Sequence, residues 1–170
     1  MSYGGVAVVG RESLGKLERV HFKNPERYEV LVAAVSLKGH KRKLILVACY
    51  LPPGYTKLRG ASALDYIEER VVEVKRKYKD PYVVVAGDFN QWRVEDCLAN
   101  FADMREVEVG NTRGNRAIDR IFTNLSRSVV GSGTVSPLET CSIITLSGRK
   151  VELLRVITSC IAVCLSLIHI

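Results

Sequence analysis

The chain has 170 residues, which is enough for one domain or for most of a larger one. Its hydrophobic content of 47% and charged content of 25% exclude disorder as the default state, because such a chain can bury a core. The formal net charge of +7 favours polyanionic partners, with nucleic acid first among them.

The sequence pattern of residues 5–48 predicts several strands. Apolar runs at residues 5–9, 17–22 and 28–36 have the length and the β-branched content of strands. The run at 43–48 follows the third of these after the basic loop 38–42, which contains a glycine. Two apolar runs joined in this way predict a β-hairpin. The basic loop either contacts phosphates or is a solvated hairpin tip that deters edge pairing.

A helix is predicted after Pro52 and Pro53, which end the second hairpin strand. Ser62 is expected to cap it, because Asp65 stands three residues later in capping-box spacing. One apolar stripe recurs at three- and four-residue steps and consists of Leu64, Ile67, Val71, Val74 and Tyr78. Acidic residues early and basic residues late suit the helix dipole. Pro81 is predicted to stop the helix.

The run Tyr82-Val83-Val84-Val85-Ala86 predicts a buried strand that ends in Gly87, Asp88, Phe89 and Asn90. With a helix before it, this run completes a strand–helix–strand unit. Strand alternation would place the side chains of Asp88 and Asn90 on the same face. An acid and an amide at the end of a buried strand are costly to desolvate unless they have a role. Further on, a helix is predicted at 94–100 and strands at 107–109 and 118–123.

The five cysteines form no Cys-x-x-Cys pair and the three histidines are isolated, so the spacing predicts no zinc site. This cysteine usage suits a reducing, intracellular setting, which could include the nucleus. Residues 1–5 show no signal peptide. Residues 156–170 are apolar but shorter than the roughly 20 residues that span a bilayer, so no membrane partner is expected. A tail anchor formed by those residues is the alternative.

Three motifs in order carry a family resemblance. They are Cys49-Tyr50-Leu51-Pro52-Pro53, Gly87-Asp88-Phe89-Asn90 and Ala117-Ile118-Asp119-Arg120-Ile121-Phe122. Over residues 4–140 the chain resembles the endonuclease/exonuclease/phosphatase superfamily, and most of all the endonuclease domains of non-LTR retrotransposon polyproteins. The resemblance implies an α/β fold of the DNase I-like type, here an incomplete two-sheet β-sandwich flanked by helices. It also implies Mg²⁺ as cofactor, DNA as partner and cleavage of phosphate esters. Relatives on the same scaffold cleave phosphate esters of lipids or small molecules.

The resemblance implies a role for each matched residue. Asp88 would orient or deprotonate the attacking water, and Asn90 would donate its amide protons to the transition state. Tyr50 would contact the phosphate through its phenol. Asp119 would hold a catalytic histidine in the required tautomer.

Each of these residues also has a structural interpretation. Asp88 and Asn90 could be turn formers after a strand, and Tyr50 a half-buried aromatic at a strand end. Asp119 could pair with Arg116 or Arg120. Trp92 could belong to the core or rim rather than stack on a base. The arginines Arg113, Arg116 and Arg120 could line a phosphate groove or form a solvated face.

Two parts of the family pattern have no counterpart in the sequence. The family's metal-binding asparagine and glutamate would precede a segment like residues 4–8, and no Ser-Asp-His tripeptide occurs. The residues 148–150 resemble the lead-in to that tripeptide, but His169 is the only later histidine. We therefore expect a partial domain at 1–140, an apolar tail of unrelated origin at 141–170, and impaired catalysis. A noncatalytic nucleic-acid-binding protein that uses the +7 charge is the second hypothesis.

Overall fold

A computed structural model describes residues 6–10, 15–23, 28–54, 57–92, 103–107, 118–125, 130–135, 141–146, 151–157 and 161–168. The elements in these ranges are β1 (Val6–Gly10), β2 (Gly15–Lys23), β3 (Glu29–Leu37), β4 (Leu44–Tyr50), α1 (Lys57–Lys77), β5 (Tyr82–Asp88), β6 (Arg105–Val107), β7 (Asp119–Thr123), β8 (Val130–Val135), β9 (Cys141–Leu146), β10 (Val151–Ile157) and β11 (Ile161–Ile168).

The described strands form two sheets. The larger sheet has the order β2-β3-β4-β5-β7-β6, in which β4 and β5 are parallel and the other neighbours antiparallel. The smaller sheet has the order β1-β11-β10-β9-β8, with β1 parallel to β11. The predicted hairpin is β3–β4, and α1 makes the predicted crossover between β4 and β5. The two-sheet α/β architecture expected from the motifs is confirmed.

Both faces of the large sheet are buried at its centre. Val6 and Val8 of β1 pack on one face, against a cluster that includes Leu46, Ala48 and Val84. The apolar stripe of α1 covers the other face, and its buried members are Leu64, Ile67, Val71 and Val74. A strand buried on both faces needs apolar side chains at every position, which explains the continuous runs in β4 and β5.

The predicted start of the helix was wrong by five residues. The helix α1 begins at Lys57, and Ser62 lies inside it with its side chain exposed. Lys57, Leu58, Arg59 and Ala61 have helix-favouring side chains, so the helix extends past the apparent cap. The first turn consequently contains no acidic residue, whereas the basic last turn at 75–77 is confirmed.

The other end of the helix and the later strands are close to expectation. The helix ends at Lys77, and Asp80 takes a positive φ of 49° in the turn before Pro81. The strand β7 matches the predicted 118–123 segment, and β6 overlaps the predicted 107–109 segment only at Val107. The predicted helix at 94–100 lies outside the described residues.

The backbone of the predicted tail contains β9, β10 and β11, which belong to the smaller sheet together with β8 and β1. The division of the chain into a domain at 1–140 and a separate tail at 141–170 stays a prediction. Among the helices of the described ranges, none has both the length and the apolar character needed to cross a membrane.

Gly87 offers a test of how closely β4 and β5 approach. A Cβ at this position would lie 2.0 Å from the backbone oxygen of Cys49 and 2.7 Å from its sulfur. We expect Gly87→Ala to lower the free energy of unfolding by about 2–4 kcal/mol, because backbone must move to admit the methyl group. Urea unfolding followed by the fluorescence of Trp92, the single tryptophan, measures this change.

The matched control is Gly39→Ala. Gly39 has a positive φ of 79°, but its Cβ would meet nothing within 4 Å. The control should therefore lose only the roughly 1–2 kcal/mol of a left-handed alanine. Equal losses in the two variants would contradict the close approach.

Candidate functional site

Tyr50, Asp88 and Asp119 form one row across three strands. In the sheet register Tyr50 of β4 is opposite Asp88 of β5, and Asp88 is opposite Asp119 of β7. Paired residues of neighbouring strands point to the same face and lie about 5 Å apart between strands. The structure therefore brings the three polar residues of the three separate motifs together at one end of the large sheet. We call Tyr50, Asp88 and Asp119 the polar row.

The turn that follows Asp88 is anchored on both sides. The backbone N–H of Leu51 donates to the carbonyl of Asp88 at 2.9 Å, and that of Phe89 donates to the carbonyl of Ile118 at 2.8 Å. Phe89 itself is 1% exposed and meets Phe122 edge to face, with ring centroids 5.9 Å apart. These contacts hold the loops that begin after β4 and end before β7 against the end of β5.

Asn90 is placed by hydrogen bonds and not by strand alternation. The strand β5 ends at Asp88, and Asn90 has a φ of 48°, so the alternation argument does not reach it. Its side-chain Nδ2 donates to the carbonyl of Leu51 at 2.8 Å. Its backbone N–H donates to Oδ1 of Asp88, also at 2.8 Å. This last bond is the one expected if Asp88 were a turn former after a strand. The same bond also orients the carboxylate of Asp88.

Glu29 extends the polar row and was not anticipated from the sequence. It is the first residue of β3 and pairs directly with Tyr50. The pKa of the Tyr50 phenol is raised, first by burial and then by the negative charges of Asp88 and Glu29. A phenol in this setting stays protonated and keeps its hydrogen-bond donor. The signal available in the sequence was a charged residue at the start of an otherwise apolar strand.

Cys49 lies beside the polar row on the helix side of the sheet. Its side chain is fully buried, and its sulfur donates to the carbonyl of Ala86 at 3.7 Å. Burial, and less strongly the charge of Asp88, raises the pKa of this thiol. Cys49 is therefore the buried small hydrophobe that its position in an apolar run indicates.

Asp119 is 1% exposed, which makes it the most buried carboxylate of the polar row. The described histidines lie elsewhere: Nε2 of His21 is 2.5 Å from the hydroxyl of Tyr66, and His40 sits in the β3–β4 turn at the opposite end of the sheet. His169 lies outside the described residues. The histidine that the resemblance assigns to Asp119 therefore has no candidate among the described residues.

Of the three predicted phosphate-binding arginines, the structure describes Arg120 and does not bring its side chain to the polar row. Arg120 follows Asp119 in β7, so its side chain points to the opposite face, and it pairs with Glu106 at 3.4 Å. Arg113 and Arg116 lie outside the described residues. A nucleic-acid role for the three arginines stays a prediction.

Trp92 packs, half-buried, against the core between the large sheet and α1. Its backbone N–H donates to the carbonyl of Phe89 at 3.0 Å. These contacts favour the core interpretation of this side chain over a base-stacking platform.

The metal-ligating side chains of the described residues do not form a complete metal site. Within the part of the chain that the structure describes, no three His, Cys, Asp or Glu side chains are arranged to hold a metal ion. Asp88 and Asp119 supply two carboxylates side by side, and Mg²⁺ favours such oxygen ligands. Among the described residues, these two carboxylates alone do not fit the metal centre that the family resemblance implies.

Comparison with known proteins identifies a family. The family model described as "Endonuclease/Exonuclease/phosphatase family" matches residues 1–140. No curated protein matches the sequence.

Solved structures resemble the chain at low identity. An endonuclease/exonuclease/phosphatase family protein from Bacteroides thetaiotaomicron is 13% identical with a TM-score of 0.51, over 71% of this chain and 54% of that one. The human Nocturnin catalytic domain is also 13% identical, with a TM-score of 0.52, over 78% of this chain and 53% of that one. A mannosyl-6-phosphatase from Bacteroides thetaiotaomicron is 12% identical with a TM-score of 0.50, over 90% of this chain and 67% of that one. This chain spans about half the length of the first two structures, and at such identity the likeness shows the fold alone.

The environment of Tyr50 leads to a titration experiment. We expect Asp88→Asn to lower the pKa of Tyr50, though not to its ordinary value, because burial is the larger cause of the shift. Glu29→Gln should lower it by less. The carbon-13 resonance of the Tyr50 ring, assigned by comparison with Tyr50→Phe, follows the titration.

Glu18→Gln is the control, because this exposed glutamate of β2 is not among the causes of the shift. A raised pKa in the folded state stabilises the fold fully below the unfolded value of 10.0, and this stability is lost as the pH rises through the folded value. Tyr50→Phe should therefore lose less stability than the wild type above pH 10.0. An unchanged Tyr50 titration in Asp88→Asn would refute the proximity of the two groups.

Proposed function

Because this chain belongs to the endonuclease/exonuclease/phosphatase family, we propose that the polar row is the phosphodiester-handling part of a DNA endonuclease of the retroelement type. One observation carries the proposal: the register places Tyr50, Asp88 and Asp119 side by side at one end of the sheet. Three separate motifs meet there. Placing two carboxylates and a phenol side by side at the end of a buried strand is costly in desolvation, and such clusters are typical of active sites.

The geometry supports a division of roles. The carboxylate of Asp88, oriented by the backbone N–H of Asn90, can accept a proton from an attacking water. The phenol of Tyr50 can donate to a phosphate oxygen, since its raised pKa keeps it protonated. One N–H of the Asn90 amide is used by the Leu51 carbonyl, and the amide group carries a second for a phosphate oxygen.

DNA is the proposed substrate for two reasons. The net charge of +7 favours a polyanion, and the three motifs resemble those of retrotransposon endonucleases. An intracellular, nuclear place of action is part of this proposal.

We further propose that the 170-residue chain by itself is catalytically impaired. Members of this family generally depend on a divalent metal. The described residues hold no three-ligand metal cluster and bring no histidine next to Asp119, and the sequence contains no Ser-Asp-His. Each missing group that stabilises developing charge costs about 3–4 kcal/mol of barrier, or roughly 10²–10³ in rate. Two such losses together would remove most of the hydrolysis.

The first test is cleavage of supercoiled plasmid by the purified chain with Mg²⁺. We expect no nicking above the background of a matched Asp88→Ala preparation, because the charge-stabilising groups are incomplete. Nicking by the wild type that disappears in Asp88→Ala would overturn the impairment but would support the site.

The second test asks whether the polar row binds a phosphodiester. A thymidine dinucleotide should shift the ring carbon-13 resonance of Tyr50, and Asn90→Ala should weaken the binding several-fold, because one phosphate donor is lost. Tyr66, half-buried in the middle of α1 beside His21, provides the control resonance. A dinucleotide that leaves Tyr50 unshifted, or that shifts Tyr66 equally, would speak against the site.

A further inference from the structure

The end of the large sheet opposite the polar row carries a concentration of positive charge. The β3–β4 turn supplies Lys38, Lys41, Arg42 and Lys43, and the end of α1 with its following turn supplies Lys77 and Lys79. We call these six side chains the basic pole. Both segments lie at this end because the start of β4 pairs with the start of β5, Leu44 opposite Tyr82.

Hydrogen bonds, an ion pair and cation–ring contacts hold the two segments of the basic pole together. The backbone N–H of Tyr82 donates to the carbonyl of Lys43 at 2.9 Å. Arg42 forms an ion pair with Asp80 at 2.8 Å, and its guanidinium lies 3.9 Å from the centre of the Tyr82 ring. Lys43 and Lys77 both approach the ring of Tyr78, at 5.3 and 5.2 Å. The two basic segments therefore form one surface on a fixed base of two tyrosines.

The charge of the basic pole is only partly offset. Among the described residues, the ion pairs of its six cations are Arg42 with Asp80 and a 3.9 Å contact of Lys43 with Glu18. Lys75 and Asp103, which lie nearby, pair with each other. The exposed side chains of Lys38, Lys41, Lys77 and Lys79 remain as a cationic excess.

Stabilisation of the dipole of α1 does not account for all basic residues of the basic pole. Basic residues in the last turn of α1 offset its dipole, which explains Lys77. The dipole effect ends within one turn, so it gives no reason for Lys38 and Lys41 on a separate hairpin. Two segments far apart in sequence supply the same charge to one surface.

We propose that the basic pole is a contact surface for the phosphate backbone of nucleic acid, separate from the polar row. Lysine side chains spread over a surface suit a repetitive polyanion, which requires spaced charge and little shape. A surface that docks on a membrane gains affinity from apolar side chains that insert between the lipids. Besides its cations the pole presents Tyr78 and Tyr82, which are half-buried with cations over their rings.

The polar row cannot supply this attraction through its own charges. Glu29, Asp88 and Asp119 are carboxylates and repel phosphate groups. The strand β5 separates the two ends by six residue steps, or about 20 Å at roughly 3.3 Å per residue. The proposal therefore holds whether or not the row hydrolyses a phosphodiester, and the two can fail independently.

The test measures binding of a short labelled DNA duplex of arbitrary sequence by fluorescence anisotropy, over a range of salt concentrations. The variant Lys41→Gln with Lys79→Gln removes one exposed lysine from each segment. We expect its affinity to fall and the slope of log K against log salt to shrink by about 2, since each phosphate contact contributes about 0.9. A second variant, Lys38→Gln with Lys77→Gln, removes the other exposed lysine of each segment. Its affinity and its salt slope should fall in the same way.

Two further variants make the result specific to the basic pole. Arg19→Gln with Ser62→Glu lowers the net charge equally at exposed positions elsewhere and should retain the wild-type slope. Lys41→Arg with Lys79→Arg keeps the charge and should also retain it. Circular dichroism and the urea midpoint verify folding of each variant.

The proposal is overturned if both pairs of lysine variants keep the wild-type slope, or if the charge-matched control loses as much. Vesicles containing phosphatidylserine are added as competitor at equal phosphate concentration. Displacement of the duplex by vesicles would assign the surface to a membrane and would also overturn the proposal.

Discussion

The pairing of β5 with β4 on one side and β7 on the other determines where the three side chains of the polar row lie. Each strand is short, and its register is held because both faces are buried. A slip by one residue would turn the side chains that fill one core into the other, so the packing of both cores would be lost. The register that satisfies the two cores also puts Tyr50, Asp88 and Asp119 in one row. Gly87 allows β4 and β5 to approach where this row begins.

The same topology separates charge along the sheet. Strand ends that carry carboxylates lie together at one end, and the hairpin turn and the helix end that carry lysines lie together at the other. A parallel β4–β5 pair joined by α1 makes this unavoidable, because the helix must return the chain to the end at which β4 started. The two ends of the large sheet, about 20 Å apart, therefore carry unlike charged groups.

Local patterns predicted the elements whose side-chain period was strong. The hairpin, the buried stripe of α1 and the strand before Gly87 follow from apolar periodicity alone. The start of α1 was misjudged because Ser62 and Asp65 carry a capping pattern that favourable helix formers upstream made unnecessary. The alternation argument does not reach Asn90, because β5 ends at Asp88 and Asn90 adopts a left-handed backbone conformation. Glu29 was overlooked because a charged residue at a strand start does not show which residue of the next strand it will pair with.

By itself the amino-acid sequence determined the α/β class, the strand–helix–strand unit and the identity of the candidate residues, since each depends on residues near one another in the chain. Only the tertiary structure decided that Glu29 joins Tyr50, that Arg120 faces away from Asp119, and that two basic segments form one surface. These outcomes depend on strand register and on which loop ends meet. Both are decided by the free energy of burying the two faces of one sheet. That free energy depends on segments far apart in the chain, so no local stretch of sequence reveals it.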